Sequence, residues 1–215
     1  MDLGLRDKIV LVTGGAKGIG AATVEAFLAE DSNVVLVDWD AETGSAFAKS
    51  LGSKVSYIEA DLTDSAACKK AIEQTVSLFG GLDVLVNNAG FNDGLGLETP
   101  PEDFMLSVQN NLLHVYAMTH YALPLLRKGQ GCLVNLGSKV SETGQGHTSA
   151  YAAAKGAISA LTREWAVALA PDKIRVNCVI PAECLTDQYE QFFLSQVEPE
   201  AAKKAISELV PFAQR

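Results

Sequence analysis

Positive charge is what this chain has least of. Its 17 lysines and arginines stand against 26 aspartates and glutamates, a formal net charge of −9. Nucleic-acid binding needs a basic face, and anionic lipid repels an acidic one, so both partner classes are set aside. Long hydrophobic runs are also missing, none approaching the roughly 18 residues of a membrane-spanning helix. The opening MDLGLRDKIVLVTGG mixes its charges and runs its apolar stretch into glycine, which is not the layout of a secretion signal. Cysteine is confined to Cys68, Cys132, Cys178 and Cys184, far apart and without a C-x-x-C pair. That pattern reads as reduced thiols in a cytoplasmic protein with no metal centre. No low-complexity stretch, linker or internal repeat divides residues 1–215, so a single domain is expected.

What is present is an alternation. Short apolar runs at 8–14, 33–38, 54–61, 82–90, 131–138 and 173–181 have the length and composition of buried strands. Between them lie helical patterns at 18–30, 41–51, from Asp64 as N-cap to about Leu78, at about 102–127, and at 149–170. Pro101 is expected near the start of the long helix and Gly129 after its end; Pro171 lies beyond the stop of the next. One or two further helices are expected over 183–208. Continuous apolar strands alternating with helices give an α/β fold, a doubly wound parallel sheet of Rossmann type. Ligands bind such a sheet at the carboxyl ends of its strands.

At the first of those ends, TGGAKGIG places Thr13, Gly14, Gly18 and Gly20 between strand and helix. Glycine allows close backbone approach to a pyrophosphate, and a helix N-terminus supplies free N–H groups and partial positive charge. The position points to dinucleotide binding, although the spacing is G-x-x-x-G-x-G rather than the commoner G-x-G-x-x-G. Asp38 ends the second strand, eighteen residues after Gly20, where a carboxylate can accept from the ribose hydroxyls and repel a 2′-phosphate. NAD is therefore expected over NADP. Lys17 pulls the other way if it meets a 2′-phosphate, and is neutral on the question as a solvated loop lysine. Asp61 either holds the adenine amino group or caps its own loop.

Residues 147–156 read HTSAYAAAKG, with Tyr151 and Lys155 four apart and so on one helix face. Ser138 lies thirteen residues before the tyrosine, NNAG occupies 87–90, and Asn111 rather than Asn110 falls in register in QNNLLHVY. Together with Thr13, Gly14, Gly18, Gly20, Asp61 and Pro181, in this order and spacing, the chain resembles the short-chain dehydrogenase/reductase family along essentially its whole length. The resemblance implies a nicotinamide cleft lined by Gly14, Lys17, Gly18, Ile19, Gly20, Asp38, Trp39, Asp61, Leu62, Asn88, Ala89, Gly90, Tyr151, Lys155, Pro181 and Thr186. It implies a catalytic set of Asn111, Ser138, Tyr151 and Lys155. A free phenol is a poor base at neutral pH, with a pKa of about 10, and a neighbouring ammonium stabilises the phenolate. Tyr151 would take the proton of a substrate hydroxyl as hydride leaves its carbon. Ser138 would orient the same oxygen, Lys155 would grip the nicotinamide ribose, Thr186 would meet the carboxamide, and Asn111 would hold a water linking Lys155 to solvent.

Within the family, NNAGFNDGLGLE, SKVSETGQGHTSAY, LTREWA and VIPAE are similar to the sugar dehydrogenases of the L-fucose type, which oxidise the anomeric hydroxyl of an aldose to a lactone. Asn92, Ser138, Lys139, Gln145, His147 and Glu183 are the candidates for binding a polyol. His147 either touches substrate or holds the loop. An apolar 183–208 lid with Leu185, Tyr189, Phe192, Phe193 and Leu194 would instead suit a reductase of ketones or 3-oxoacyl thioesters. A catalytically silent NAD-binding sensor or scaffold is the reading from another class. Two departures from the family pattern stand out. Ala182 follows Pro181 where glycine is usual, and the chain ends at Arg215 before the family's further helix and seventh strand. The sixth strand is then expected at the sheet edge. A homo-oligomer, dimer or tetramer, is expected through the helices 102–127 and 149–170.

Overall fold

Strand β1 (Ile9–Thr13) lies at the centre of the molecule because every residue after Ile9 is apolar or a small threonine and all four are buried. The computed structural model describes residues 1–186, 190, 193, 194 and 197–208. β1 pairs in parallel with β2 (Asn33–Asp38) on one side and β4 (Val84–Asn87) on the other, Val12 standing between Leu36 and Val86. With β3 (Val55–Glu59), β5 (Cys132–Leu136) and β6 (Arg175–Val179) the sheet has six parallel strands in the order β3-β2-β1-β4-β5-β6. The order reverses between β1 and β4, the position at which a doubly wound sheet opens a crevice. Among the described residues β6 lies at the edge.

Helices cover both faces. α1 (Gly18–Ala29) and α2 (Ala41–Leu51) pack on the face built from Val10, Val12, Val34 and Leu36. α3 (Ser65–Phe79) and α4 (Pro101–Gly129) pack on Leu11, Val35, Leu85 and Leu133. Each fully buried Val or Leu contributes about 1.5–3 kcal/mol of transfer free energy. α3 starts where expected: the Asp64 carboxylate accepts from Ala66 N at 2.8 Å and Gly80 closes the far end at φ 87°. α5 (Val140–Thr143) is one short turn, α6 (Ser149–Ala168) is long, and α7 (Pro199–Glu208) follows β6.

Several boundaries differ from the sequence expectation. β2 keeps its expected bounds, and the other strands are shorter at both ends, the residues beyond their carboxyl ends leaving the ladder to build the site. Gly129 is the last residue of α4 rather than the one beyond it, and Gln130 takes the left-handed C-cap at φ 48°. α6 ends at Ala168, with Pro171 inside a 3₁₀ turn, Ala170–Asp172. Of the anticipated lid, Tyr189 and Phe192 lie outside the described residues, while Phe193 is buried and Leu185 and Leu194 are exposed. Among the described residues no helix is long and apolar enough to cross a membrane and no cluster of potential metal ligands occurs.

Candidate active site

The crevice begins at the glycine loop. Gly14 and Gly18 have φ of +62° and +54°, which L side chains rarely adopt. A Cβ on Gly20 would fall 1.9 Å from the Gly14 carbonyl oxygen, so only hydrogen fits there. The NNAG turn is fastened to this loop. Asn88 donates from Nδ2 to the carbonyls of Thr13 and Gly14 at 2.9 Å each, and the Thr13 hydroxyl accepts from Asn88 N and Ala89 N at 3.0 and 3.1 Å. Lys17 is the N-cap of α1 and provides no side-chain cap, and no acidic residue occupies the first turn. The first-turn N–H groups are thus open to an anion in a cradle without side chains, which fits the pyrophosphate of a dinucleotide. Thr186, on the loop after β6, folds back over the cradle, its Cγ2 3.3 Å from where a Cβ on Gly18 would lie. Ile19 packs partly buried against the core cluster that includes Val24.

At the end of β2, Asp38 accepts from Ala16 N at 3.1 Å and from Asp40 N at 3.1 Å, which fixes its carboxylate beside the glycine loop. Trp39 beside it is exposed. Lys17 reaches 2.6 Å to the Asp40 carboxylate, and this partner, with Thr43, holds Asp40 down at about 2. A contact across 23 residues of sequence was not legible from the motif. Asp61 accepts from Thr63 N at 2.9 Å and Thr63 Oγ1 at 2.7 Å within its own loop, and these bonds lower its pKa. Leu62 packs partly buried against the core.

Tyr151 and Lys155 project from α6 toward the end of β5. Lys155 Nζ stands 5.5 Å from the Tyr151 ring centroid and donates to Leu136 O at 2.8 Å. Burial raises the Tyr151 phenol above its ordinary value, and a hydrogen bond with the Ser138 hydroxyl opposes that rise. Burial lowers Lys155 to about 8, with the Cys178 thiol acting the other way. Gly90 closes the cluster: a Cβ there would lie 3.2 Å from Asn111 Oδ1 and 3.4 Å from Lys155 Nζ. Asn111 is fully buried, accepts from Phe91 N at 2.9 Å and donates to Ser107 O at 3.1 Å. Its side chain holds the turn after β4 against α4, which leaves one N–H of Nδ2 and one lone pair of Oδ1 for a further partner.

A lysine pKa depressed by burial has a consequence for stability. The folded state releases its proton at about 8 and the unfolded chain near 10.5. Below pH 8 both states are protonated and the folded protein bears the full cost of a buried ammonium. Between those values the unfolded state binds more protons, so stability rises with pH. Lys155→Met is therefore expected to raise the thermal midpoint of the cofactor-free protein at pH 7, with a smaller gain at pH 9. Calorimetry at the two pH values checks it; a lowered midpoint at pH 7 contradicts the burial argument.

The residues anticipated for substrate divide into two groups. Lys139 follows Ser138, its N–H donating to Pro181 O at 3.0 Å, and its Nζ pairs with Glu183 Oε1. This pair ties the loop after β5 to the loop after β6, with the Glu183 side chain only 7% exposed. The other three are less committed to the centre. Asn92 accepts from Gly94 N at 3.1 Å within its own loop, Gln145 is exposed, and His147 is exposed at φ +53°. A Cβ on Gly96 would lie 3.1 Å from His147 Cα, and Ala150 N donates to Leu95 O at 3.4 Å. His147 thus stands where two loops meet.

Sequence reading passed over two polar features. Asn87 donates to Thr119 Oγ1 and Asn135 Oδ1 at 3.1 and 3.0 Å, and Asn135 donates to Thr162 Oγ1 at 2.9 Å. This buried ladder ties α4, β4, β5 and α6 together beneath the cluster. The other is His114, buried on α4 one turn beyond Asn111.

Comparison with known proteins agrees with this geometry. A family model described as short chain dehydrogenase matches residues 8–196. The chain is 38% identical over 196 residues to the L-fucose dehydrogenase of Mus musculus, covering 90% of this chain and 71% of that protein. It is 38% identical over 200 residues to a probable galactose dehydrogenase of Rhizobium meliloti, covering 89% of this chain and 77% of that protein. The crystal structure of the Cj0485 dehydrogenase superposes with a TM-score of 0.91 at 39% identity, over 96% of this chain and 80% of that one. The chain belongs to the short-chain dehydrogenase family. It is an oxidoreductase that uses a nicotinamide cofactor.

Proposed function

We propose that the protein oxidises the anomeric hydroxyl of an aldose such as L-fucose to its lactone, with NAD as the cofactor. The observation that carries the sugar reading is the Lys139–Glu183 pair, held partly buried beside Ser138. Burying charge is costly unless it is paired and hydrogen-bonded. A pair offering both N–H donors and carboxylate lone pairs next to the reacting oxygen suits a substrate with hydroxyls on successive carbons. An apolar acyl chain would leave both charges without use.

The bound cofactor supplies the hydride acceptor and a positive ring that favours the phenolate. Tyr151 takes the hydroxyl proton, and the burial that raises its pKa also keeps competing water away. Ser138 donates to the same oxygen and fixes its distance from Tyr151. Lys155, anchored on Leu136 O, presents its remaining N–H groups to the ribose and keeps positive charge beside the phenol. Asn111 positions Lys155 by holding the turn at Gly90. The similarity to L-fucose and galactose dehydrogenases supports the substrate class. Product analysis tests it: lactone from L-fucose, trapped with hydroxylamine, is expected. Turnover confined to ketones or 3-oxoacyl thioesters would favour the reductase reading, which the exposed Leu185 supports. Exposed Met105, Leu106, Leu113 and Tyr116 on α4 support pairing of two copies through that helix.

The choice of NAD rests on Asp38. Its carboxylate is fixed by two backbone N–H groups, while Asp40 engages Lys17. Asp38→Asn keeps an acceptor and removes the charge. It is expected to shift the ratio of kcat/KM for NAD over NADP by at least about tenfold toward NADP, or about 1.4 kcal/mol. An unmoved ratio, or wild-type preference for NADP, would show that Lys17 decides.

A further inference from the structure

Lys17, on the loop after β1, and Asp40, on the loop after β2, meet beside the discriminating carboxylate of Asp38. Asp40 is the N-cap of α2, and three donors converge on its carboxylate. Thr43 N reaches Oδ1 at 3.0 Å, while Thr43 Oγ1 at 2.8 Å and Lys17 Nζ at 2.6 Å reach Oδ2. The bonds from Thr43 aim the carboxylate whether or not the lysine is there, so Lys17 alone gives up rotamer freedom when the pair forms. An ordinary exposed ion pair has to order two long side chains together. Lys17 foremost, with Thr43, holds Asp40 down at about 2, so it is ionised at any working pH. Two residues earlier, Asp38 is fixed by Ala16 N and Asp40 N, and its carbonyl accepts from Tyr57 Oη at 3.0 Å and Ala60 N at 3.1 Å. The corner carrying both carboxylates is thus tied down on every side. Lys17, its side chain 57% exposed on a flexible stem, is the member that can turn.

We propose that Asp40 is a specificity-determining residue for the cofactor: it withholds Lys17 from a 2′-phosphate, so that the lysine of the glycine loop serves the choice of NAD instead of opposing it. This rests on the reading of Asp38 as the carboxylate that faces the adenosine ribose. A phosphate monoester carries nearly two negative charges and needs cations or N–H groups to meet them. An arriving 2′-phosphate meets the fixed carboxylate of Asp38, while the ammonium that would offset it is already committed to Asp40. To recruit Lys17 the phosphate has to break that bond and leave the Asp40 carboxylate, still aimed by Thr43, without its cation. A ribose hydroxyl requires neither change.

A double-mutant cycle on the full chain tests this, read by the Kd of adenosine 2′,5′-bisphosphate, which carries the 2′-phosphate without the nicotinamide. Asp40→Asn keeps an oxygen to cap α2 and removes the charge that holds Lys17; Asp40→Ser, a second strong N-cap without charge, does the same. In both, Kd is expected to fall at least about tenfold, or about 1.4 kcal/mol. In a Lys17→Met background the same replacements are expected to move Kd by less than about threefold, because no lysine is left to release. A tenfold gain that survives in that background means direct repulsion by Asp40 and overturns the proposal, as does the absence of any gain. Glu42→Gln, which removes an exposed carboxylate from the first turn of the same helix, is the control for net charge and is expected to leave Kd unchanged. With whole cofactors, the ratio of kcat/KM for NAD over NADP is expected to fall at least about tenfold in Asp40→Asn. If the wild type already prefers NADP, the NAD assignment fails, and the cycle with the bisphosphate still decides whether Asp40 holds Lys17 back.

Discussion

Replacing Tyr151 with phenylalanine is expected to lower kcat by at least about 10³-fold, within the usual reach of general acid–base catalysis, while the Kd for NAD changes by less than about threefold. The substitution removes one hydroxyl from a ring that remains packed beside Lys155 and leaves the glycine cradle untouched. Nothing near it can replace the lost group. Ser138 has no pKa in reach of neutral pH, and Lys155, as an ammonium anchored on Leu136 O, has no free lone pair. The Lys139–Glu183 pair is engaged with itself. Initial rates together with quenching of tryptophan fluorescence by NAD separate chemistry from binding. Activity within tenfold of the wild type would mean that the proton leaves by another route.

Gly20→Ala is expected to have a large effect on the other half of the site. Its Cβ would fall 1.9 Å from Gly14 O, 2.8 Å from Gly14 C and 2.6 Å from Asn88 Nδ2. The first two are backbone atoms that cannot rotate away. The Gly14 carbonyl also accepts from Asn88, so displacing it loosens the NNAG turn and, through Gly90, the contact with Asn111 and Lys155. Overpacking of this kind costs about 1–3 kcal/mol in stability. The cofactor suffers more, because the N–H groups that face the pyrophosphate move with the loop; Kd for NAD should rise at least about 100-fold, or about 2.7 kcal/mol. Gly81→Ala is the control. There the Cβ meets only Ile9 Cδ1, at 3.7 Å, an ordinary contact. If the Gly20 variant binds NAD as the wild type does, the close-packed cradle is not what holds the dinucleotide.

The strands were legible because a parallel sheet covered on both faces demands continuous apolar runs, and runs such as Val34–Val37 have no other use. Their ends were not legible. In LDVLVNNAG the apolar pattern continues up to Asn87, and only the pull of Thr13 Oγ1 and the Thr13 and Gly14 carbonyls shows that Asn88 has left the ladder. The spacing of Ser138, Tyr151 and Lys155 was enough to expect them in one place, and the fold brings them together. The partners of Lys17 and Lys139 were not, since Asp40 and Glu183 arrive from other loops through the tertiary fold. His114 escaped notice because a histidine within an apolar helix pattern has no spacing rule of its own; burial and two unsatisfied nitrogens mark it only once α6 is in place.

We propose that the Ser138, Tyr151 and Lys155 cluster performs proton and hydride chemistry on a sugar hydroxyl. Absorbance at the reduced-nicotinamide band, followed after mixing the wild-type protein and NAD with a panel of aldoses, simple secondary alcohols and ketones, tests it most directly. Reduction of NAD with L-fucose or a related aldose is expected, faster than with simple alcohols and faster than with NADP. Tight binding of NAD without turnover of any sugar, alcohol or ketone would contradict it and leave a silent nicotinamide-binding protein in its place.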